Sequence, residues 1–155
     1  MKKILFVCLG NICRSPLAQG IFEKKIADRG LSGKYYADSA GISAYHEGER
    51  PHIGSIRVAR EKGIDIEKQR SRPVRYSDRH EFDYFVAMDR SNYHALLTDF
   101  ALPPEKVLLM RDFDPQGGDD VPDPWGKNHA AFLEVYAILD RSIEKFIDFL
   151  EKDRT

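Results

Sequence analysis

Cysteine is scarce in this chain: Cys8 and Cys13 are the only two thiols in 155 residues. Two are too few for the disulfide framework of a small secreted domain. Long apolar runs are missing as well. The run Ile4-Leu5-Phe6-Val7-Cys8-Leu9 falls far short of the ~20 residues a spanning helix needs. It follows Lys2-Lys3 without the length of a signal segment or a small-residue cleavage site. The expectation is a cytoplasmic protein with reduced thiols and no membrane insertion. Net charge is nearly absent, since 24 Lys and Arg face 25 Asp and Glu, leaving −1. No overall basic field therefore invites nucleic acid. The chain also shows no repeat, low-complexity tract or linker. With 42% hydrophobic and 32% charged residues, it has the material for one folded domain over residues 1–155.

The order of local signals predicts the fold class. Residues 4–9 are continuously apolar and rich in branched and aromatic side chains, as in a strand buried on both faces. Ser15-Pro16 opens a helix, because proline is tolerated in a first turn that does not need its N–H. Leu17, Ile21 and Ile26 recur near helical spacing, and Gly30 closes that helix. Residues 35–41 read as a second strand, followed by helical periodicity at Ile53, Ile56, Val58 and Ala59 up to Gly63. A third strand runs from Phe82 to Met88, and Asp89-Arg90-Ser91-Asn92 opens the next helix. Pro103-Pro104 precedes a fourth strand at 107–110. Residues 111–127, with three prolines and a Gly-Gly pair, form a long loop. The last helix spans about 128–151 with Phe132, Val135, Tyr136, Leu139, Ile143, Phe146 and Leu150 on one stripe. Four β-then-α units predict an α/β domain: a doubly wound four-stranded parallel sheet flanked by helices. Such sheets bind ligands at the carboxyl ends of their strands, so the loop after the first strand is the place to look.

That loop reads Cys8-Leu9-Gly10-Asn11-Ile12-Cys13-Arg14-Ser15, a C-x5-R-S sequence between strand and helix. The bare spacing is weak; the context strengthens it. Backbone N–H groups of residues 9–14, curled into a helix N-terminus, make a nest for a tetrahedral dianion. Gly10 and Asn11 are the residues that most readily take the left-handed angles such a curl requires. Arg14 can clamp two phosphate oxygens with its planar fork. Cys8, at the strand end beneath the nest, gains from the same positive field as a thiolate and is placed for in-line attack on phosphorus. The plainer alternative is a core cysteine beside a surface arginine, and the strand–turn–helix context argues against it.

Phosphoryl transfer to sulfur also needs a proton donor for the leaving oxygen. The loop 111–127 carries Asp112, Asp114, Asp119, Asp120 and Asp123. Asp123 stands out, set between Pro122 and Pro124 and followed by Trp125. The prolines limit its backbone, and the indole offers a wall for a ring and some desolvation suited to a proton donor. The other four read as solvated carboxylates. Asp112-x-Asp114-x-Gln116-Gly117, with Asp123 at the twelfth place, superficially matches a calcium loop. That loop requires Glu at position twelve and a helix on each side, and here prolines interrupt it. The basic stretch from Lys68 to Arg79 could steer acidic peptides, although a solvated loop is the simpler reading. His46 and His52 lie within reach of a substrate near Tyr45, but two loop histidines do not make a metal site. His80, His94 and His129 read as surface residues.

Val7 to Pro16, VCLGNICRSP, together with Asp123-Pro124-Trp125, resembles the low-molecular-weight protein tyrosine phosphatases. The likeness runs along the whole chain, through DSAG at 38–41, KGID at 62–65, MDRSN at 88–92 and FLEVY at 132–136. It implies a cysteinyl-phosphate intermediate on Cys8, Arg14 as phosphate clamp, and Asp123 as general acid and then as base on the releasing water. It implies no metal and no cofactor. The family pattern further suggests that Asn11, Ser15 and Ser39 brace the phosphate loop, and that Ile12, Tyr45 and Trp125 wall a slot for a phenyl ring. It makes Cys13 a reversible disulfide partner that protects the nucleophile from over-oxidation; packing behind the loop is the alternative. Two departures stand out. Gln69 replaces a histidine that often supports the loop asparagine, and Gly126 replaces the second aromatic after Asp-Pro.

The implied partners are phosphotyrosine-containing proteins, with inorganic phosphate as product. Some relatives dephosphorylate arginine, and they tend to carry Thr where this chain has Ile12, so the apolar residue favours a phenyl ring. Arsenate reductases of this fold need a further downstream cysteine, which is missing here. A phosphate-binding or redox-sensing module without turnover is the competing class, and the joint presence of Cys8, Arg14 and Asp123 argues against it.

Overall fold

Strand β1 (Lys2–Cys8) lies at the centre of the sheet, and its side chains from Ile4 to Cys8 are all buried. Because side chains alternate along a strand, Ile4, Phe6 and Cys8 face one core while Leu5 and Val7 face another. This explains an apolar run with no polar alternation. The computed structural model describes residues 1–153. Their order is β1, α1 (Arg14–Asp28), β2 (Tyr35–Gly41), α2 (Ile53–Glu61), α3 (Asp78–Glu81), β3 (Tyr84–Ala87), α4 (Arg90–Thr98), β4 (Val107–Leu109) and α5 (His129–Lys152). The sheet runs β2-β1-β3-β4 with every neighbouring pair parallel. The chain leaves β1 for β2 on one side and then crosses to β3 on the other. A switch point therefore lies at the carboxyl end of β1, where the Cys8 loop begins.

Helices α1 and α5 cover one face. Phe6 meets Phe22 of α1 edge-on at 5.5 Å and Phe146 of α5 at 6.2 Å. The expected stripe on α5 is core packing, with Phe132, Val135, Leu139, Ile143, Phe146 and Leu150 buried. The opposite face packs Phe85, Leu96 and Leu102 against Leu5 and Val7. Among the described residues, no helix is long and apolar enough to cross a membrane.

Several expectations need correction. Leu9 is not in β1; the strand ends at Cys8, and Leu9 is 52% exposed in the following loop. The loop after β4 opens with a 3-10 turn over Met110–Phe113. Asp114 is not solvated. Its side chain is fully buried, with Arg141 Nε at 2.7 Å and Arg111 NH2 at 3.1 Å. Burial opposes its ionisation, but Arg141, the Gln116 N–H and Arg111 outweigh it and hold its carboxyl below the ordinary value. A carboxylate committed to two guanidiniums is also not disposed as a calcium ligand. Arg72, in the basic stretch, is no free steering charge: it binds Asp38 and the buried Asp78, each at 3.0 Å. His129 is half-buried and pairs with Glu61 at 3.1 Å.

Candidate active site

The loop between β1 and α1 turns at Asn11, whose φ is +56°. Gly10, expected to share that left-handed geometry, does not. Its lack of a side chain serves space instead, since a Cβ there would come within 3.0 Å of the His46 ring. Gly41 at the end of β2 answers a similar demand. A Cβ there would press to 2.9 Å on the Leu9 carbonyl, so the DSAG segment ends in glycine to let β2 pass beside the loop.

Cys8 lies at the floor, 2% exposed. Its Sγ accepts from the Asn11 N–H at 3.3 Å and lies 3.1 Å from Ser15 Oγ. Asn11 Nδ2 donates to Ser15 Oγ at 2.8 Å and to Ser39 Oγ at 3.0 Å. Its Oδ1 accepts from the Arg72 N–H at 3.0 Å. Both polar ends of the Asn11 amide are thus occupied, which holds an otherwise costly backbone angle. Gln69 takes no part in that bracing; its Nε2 donates to the Pro16 carbonyl at 3.1 Å.

Arg14 opens α1 and is 3% exposed. Its NH1 donates to Asp89 Oδ2 at 2.8 Å and to the Val121 carbonyl at 2.9 Å. Burial opposes its charge, but Cys8 and Asp89, then Asp123, outweigh burial and raise its pKa above the ordinary arginine value. Asp89 holds two positions together, because its other oxygen caps α4 through the Asn92 N–H at 2.8 Å. Only its capping role was legible in the sequence.

Asp123 lies across the same opening, its Oδ2 3.9 Å from Arg14 NH2, with 47% of the side chain exposed. The desolvation expected from Trp125 is therefore small in this open arrangement. The Trp125 N–H donates to Asp123 Oδ1 at 3.1 Å, an Asx-type bond that aims the carboxyl group.

A cavity of about 340 Å³ joins these groups, lined by Cys8, Arg14 and Asp123 and walled by Ile12, Tyr45 and Trp125. The loop residues Leu9, Gly10 and Cys13 also line it. So do His46, which the sequence sets within reach of a substrate near Tyr45, and Ser43, which no sequence signal marks. His46 pairs with Glu49 at 3.0 Å and packs on Tyr45 and Trp125. His52 serves the wall from behind: its Nδ1 accepts from the Gly54 N–H at the start of α2, and its ring stacks on Phe132. Cys13 is a free, buried thiol. Burial, then the charges of Cys8 and Asp123, push its pKa up to about 12, so it stays protonated at neutral pH. Among the described residues, no group of three or more His, Cys, Asp or Glu could hold a metal ion.

The chain matches the family model described as low molecular weight phosphotyrosine protein phosphatase over residues 3–155. It is 37% identical to the low molecular weight protein-tyrosine-phosphatase YfkJ of Bacillus subtilis, with 99% of each chain covered. Among solved structures, a protein tyrosine phosphatase from Entamoeba histolytica superposes with a TM-score of 0.93 at 40% identity, covering 98% of each chain. A Drosophila arginine phosphatase superposes with a TM-score of 0.90 at 29% identity, covering 99% of this chain and 100% of that one.

Proposed function

The chain belongs to the low molecular weight phosphotyrosine protein phosphatase family, and from that premise we propose how its residues divide the reaction. The protein is a tyrosine phosphatase, hydrolysing aryl phosphate monoesters through a cysteinyl-phosphate intermediate. The observation that carries the assignment is one cavity lined at once by Cys8, Arg14 and Asp123.

The phosphate dianion of a phosphotyrosine enters the nest of residues 9–14 and is clamped by Arg14. The Cys8 sulfur attacks phosphorus in line, and the tyrosyl oxygen leaves with a proton from Asp123. Asp123 then takes a proton from water, which attacks the phosphocysteine. Inorganic phosphate leaves and the Cys8 thiolate returns. Ser15 and the Asn11 N–H stabilise negative sulfur as attacker and as leaving group. Asn11, Ser15 and Ser39 keep the loop in shape, while Ile12, Tyr45 and Trp125 grip the phenyl ring.

Cys13, protonated beside the nucleophile, does not compete with it. After peroxide converts Cys8 to a sulfenic acid, the Cys13 thiol condenses with it, a disulfide forms and water is lost. A reducing cytoplasm restores the pair. Residues 1–155 act as one catalytic domain on phosphotyrosine in protein substrates.

The test compares phosphotyrosine and phosphoarginine peptides with wild type and Cys8→Ser. Wild type should hydrolyse the phosphotyrosine peptide, and Cys8→Ser should fall to the uncatalysed blank. A wild-type rate no higher than the blank overturns the enzyme reading. Faster turnover of phosphoarginine overturns the choice of substrate, against the expectation from Ile12.

A further inference from the structure

The carbonyls of the phosphate loop all meet donors that lie outside the loop, with Asn11 the exception in the run. Cys8 O accepts from Ile42 N and Leu9 O from Ser43 N, both at 2.9 Å. Gly10 O accepts from Ser71 Oγ at 2.9 Å. Ile12 O accepts from His52 N at 2.7 Å, and Cys13 O from Ser55 Oγ at 2.8 Å. A planar trans peptide sets its C=O opposite to the next N–H. Pulling each oxygen outward therefore turns the following N–H inward. The Gly10–Asn11 peptide shows the result, since its oxygen meets Ser71 and its N–H points at Cys8 Sγ.

Three of these donors are backbone amides, which nearly any residue at those positions supplies. The other two are serine hydroxyls and depend on the side chain. Ser71 is itself fixed, its N–H bonded to Glu49 O at 2.9 Å and its carbonyl to Gly48 N at 2.8 Å. The next residue, Arg72, holds Asn11 Oδ1 through its N–H and ties its guanidinium to Asp38 and Asp78. Ser55 is fully buried in α2. The peptide that Ser71 holds is the one preceding the left-handed Asn11. Rotation of that peptide is how such a backbone relieves strain.

We propose that Ser71 and Ser55 are positioning residues for phosphoryl transfer, keeping the Asn11 and Arg14 N–H groups aimed into the anion nest. Ser71 has the larger effect. The assignment rests on the phosphatase reading and adds to it two residues that touch neither substrate nor reacting atoms.

Inorganic phosphate serves as probe, measured as a competitive inhibitor of p-nitrophenyl phosphate hydrolysis. Alkylation of Cys8 by iodoacetate relative to iodoacetamide gives a second readout, because only the former is an anion seeking the nest. Ser71→Ala should weaken phosphate inhibition about tenfold and lower the alkylation ratio by a similar factor. Ser55→Ala should cost about threefold in each. Ser71→Thr, which keeps a hydroxyl, should restore both readouts to within about twofold of wild type. Ser142→Ala removes a buried hydroxyl of α5 that has no hydrogen-bond partner among the described residues, and should change neither. If Ser71→Ala does not fold, Ser71→Cys, with its weaker donor, replaces it in the same two assays. Phosphate inhibition within twofold of wild type in both Ser71→Ala (or Ser71→Cys in its place) and Ser55→Ala overturns the proposal, even where the melting temperature falls. A wild type that neither hydrolyses the ester nor binds phosphate overturns the phosphatase reading instead.

Discussion

The loop that presents Cys8 and the loop that presents Asp123 face one cavity but are built in opposite ways. From Asn11 to Ala18 the first is buried, its carbonyls held from outside and its one strained residue braced at both ends of its side chain. The second runs through Gly117 and Gly118, both at positive φ, and leaves Asp119, Asp120 and Asp123 exposed. Its straps stop short of the acid: Arg111 holds Gly117 O at 2.7 Å and Asp120 O at 3.0 Å, the Arg90 N–H holds Asp120 Oδ1 at 2.9 Å, and Val121 bonds Met88 O and Arg14. The Asp123 carboxyl has the Trp125 N–H at 3.1 Å and Arg14 NH2 at 3.9 Å. The contrast matches the two tasks proposed for them. Charge stabilisation gains from dipoles fixed before the substrate arrives. A proton donor must let a bulky phosphoprotein in and still reach the leaving oxygen, so a looser tether suits it.

Arg14→Lys tests the rigid side most severely. A point charge cannot replace a fork that binds Asp89 and the substrate together, and kcat/KM should fall by about three orders of magnitude. Loss of only a fewfold would mean that the rigid loop needs charge and not geometry. Asp123→Ala tests the loose side. Turnover of phosphotyrosine should fall about a hundredfold, while a substrate with a good leaving group loses far less. Equal losses across leaving groups would remove Asp123 as the acid. The smallest effect on catalysis belongs to Asp114→Asn at the base of the loose loop. Phosphate inhibition should stay at the wild-type level, but the melting temperature at pH 7 should drop by about 5 °C. Because folding depresses the Asp114 pKa, its stabilisation is complete above the unfolded carboxylate value and vanishes as pH falls through the folded one. The gap between wild type and Asp114→Asn should therefore close on acidification, as thermal melts across the acid range would show. A gap that stays constant with pH would mean that Asp114 stabilises by shape alone.

Much of the rigid side was legible in the sequence because it is local. Cys8, Asn11, Arg14 and Ser15 fall in one short segment, and strand, turn and helix signals place them in order. Asp123 was legible because its two flanking prolines and Trp125 mark it out from the other loop carboxylates. The braces were not legible. Ser55, Ser71 and Arg72 carry no periodic or motif signal of their own, and Asp89, though inside the MDRSN segment, already had an evident duty as the cap of α4. Asp114 misled for a related reason. An aspartate in a Gly- and Pro-rich loop looks solvated until Arg141 of α5 arrives from 27 positions away.

The sequence by itself determined the parallel α/β sheet, the loop at the end of its first strand, and which sulfur, guanidinium and carboxyl groups carry the proposed chemistry. Those features depend on short-range patterning, on which hydrophobic periodicity and turn chemistry act directly. Only the tertiary structure decided which distant donors hold each loop carbonyl, which carboxylate orients Arg14, and how open the acid's side of the cavity stands. Each of those depends on elements that meet only when β2, α2, the 69–73 segment, the turn into α4 that carries Asp89 and the loop 111–127 close around β1 and its loop. Cys8 and Cys13, scarce as thiols, end as a sulfur on the cavity floor and a buried, protonated neighbour. The fold makes that difference, by setting the Asn11 N–H and Ser15 Oγ beside one sulfur and burial with nearby negative charge around the other.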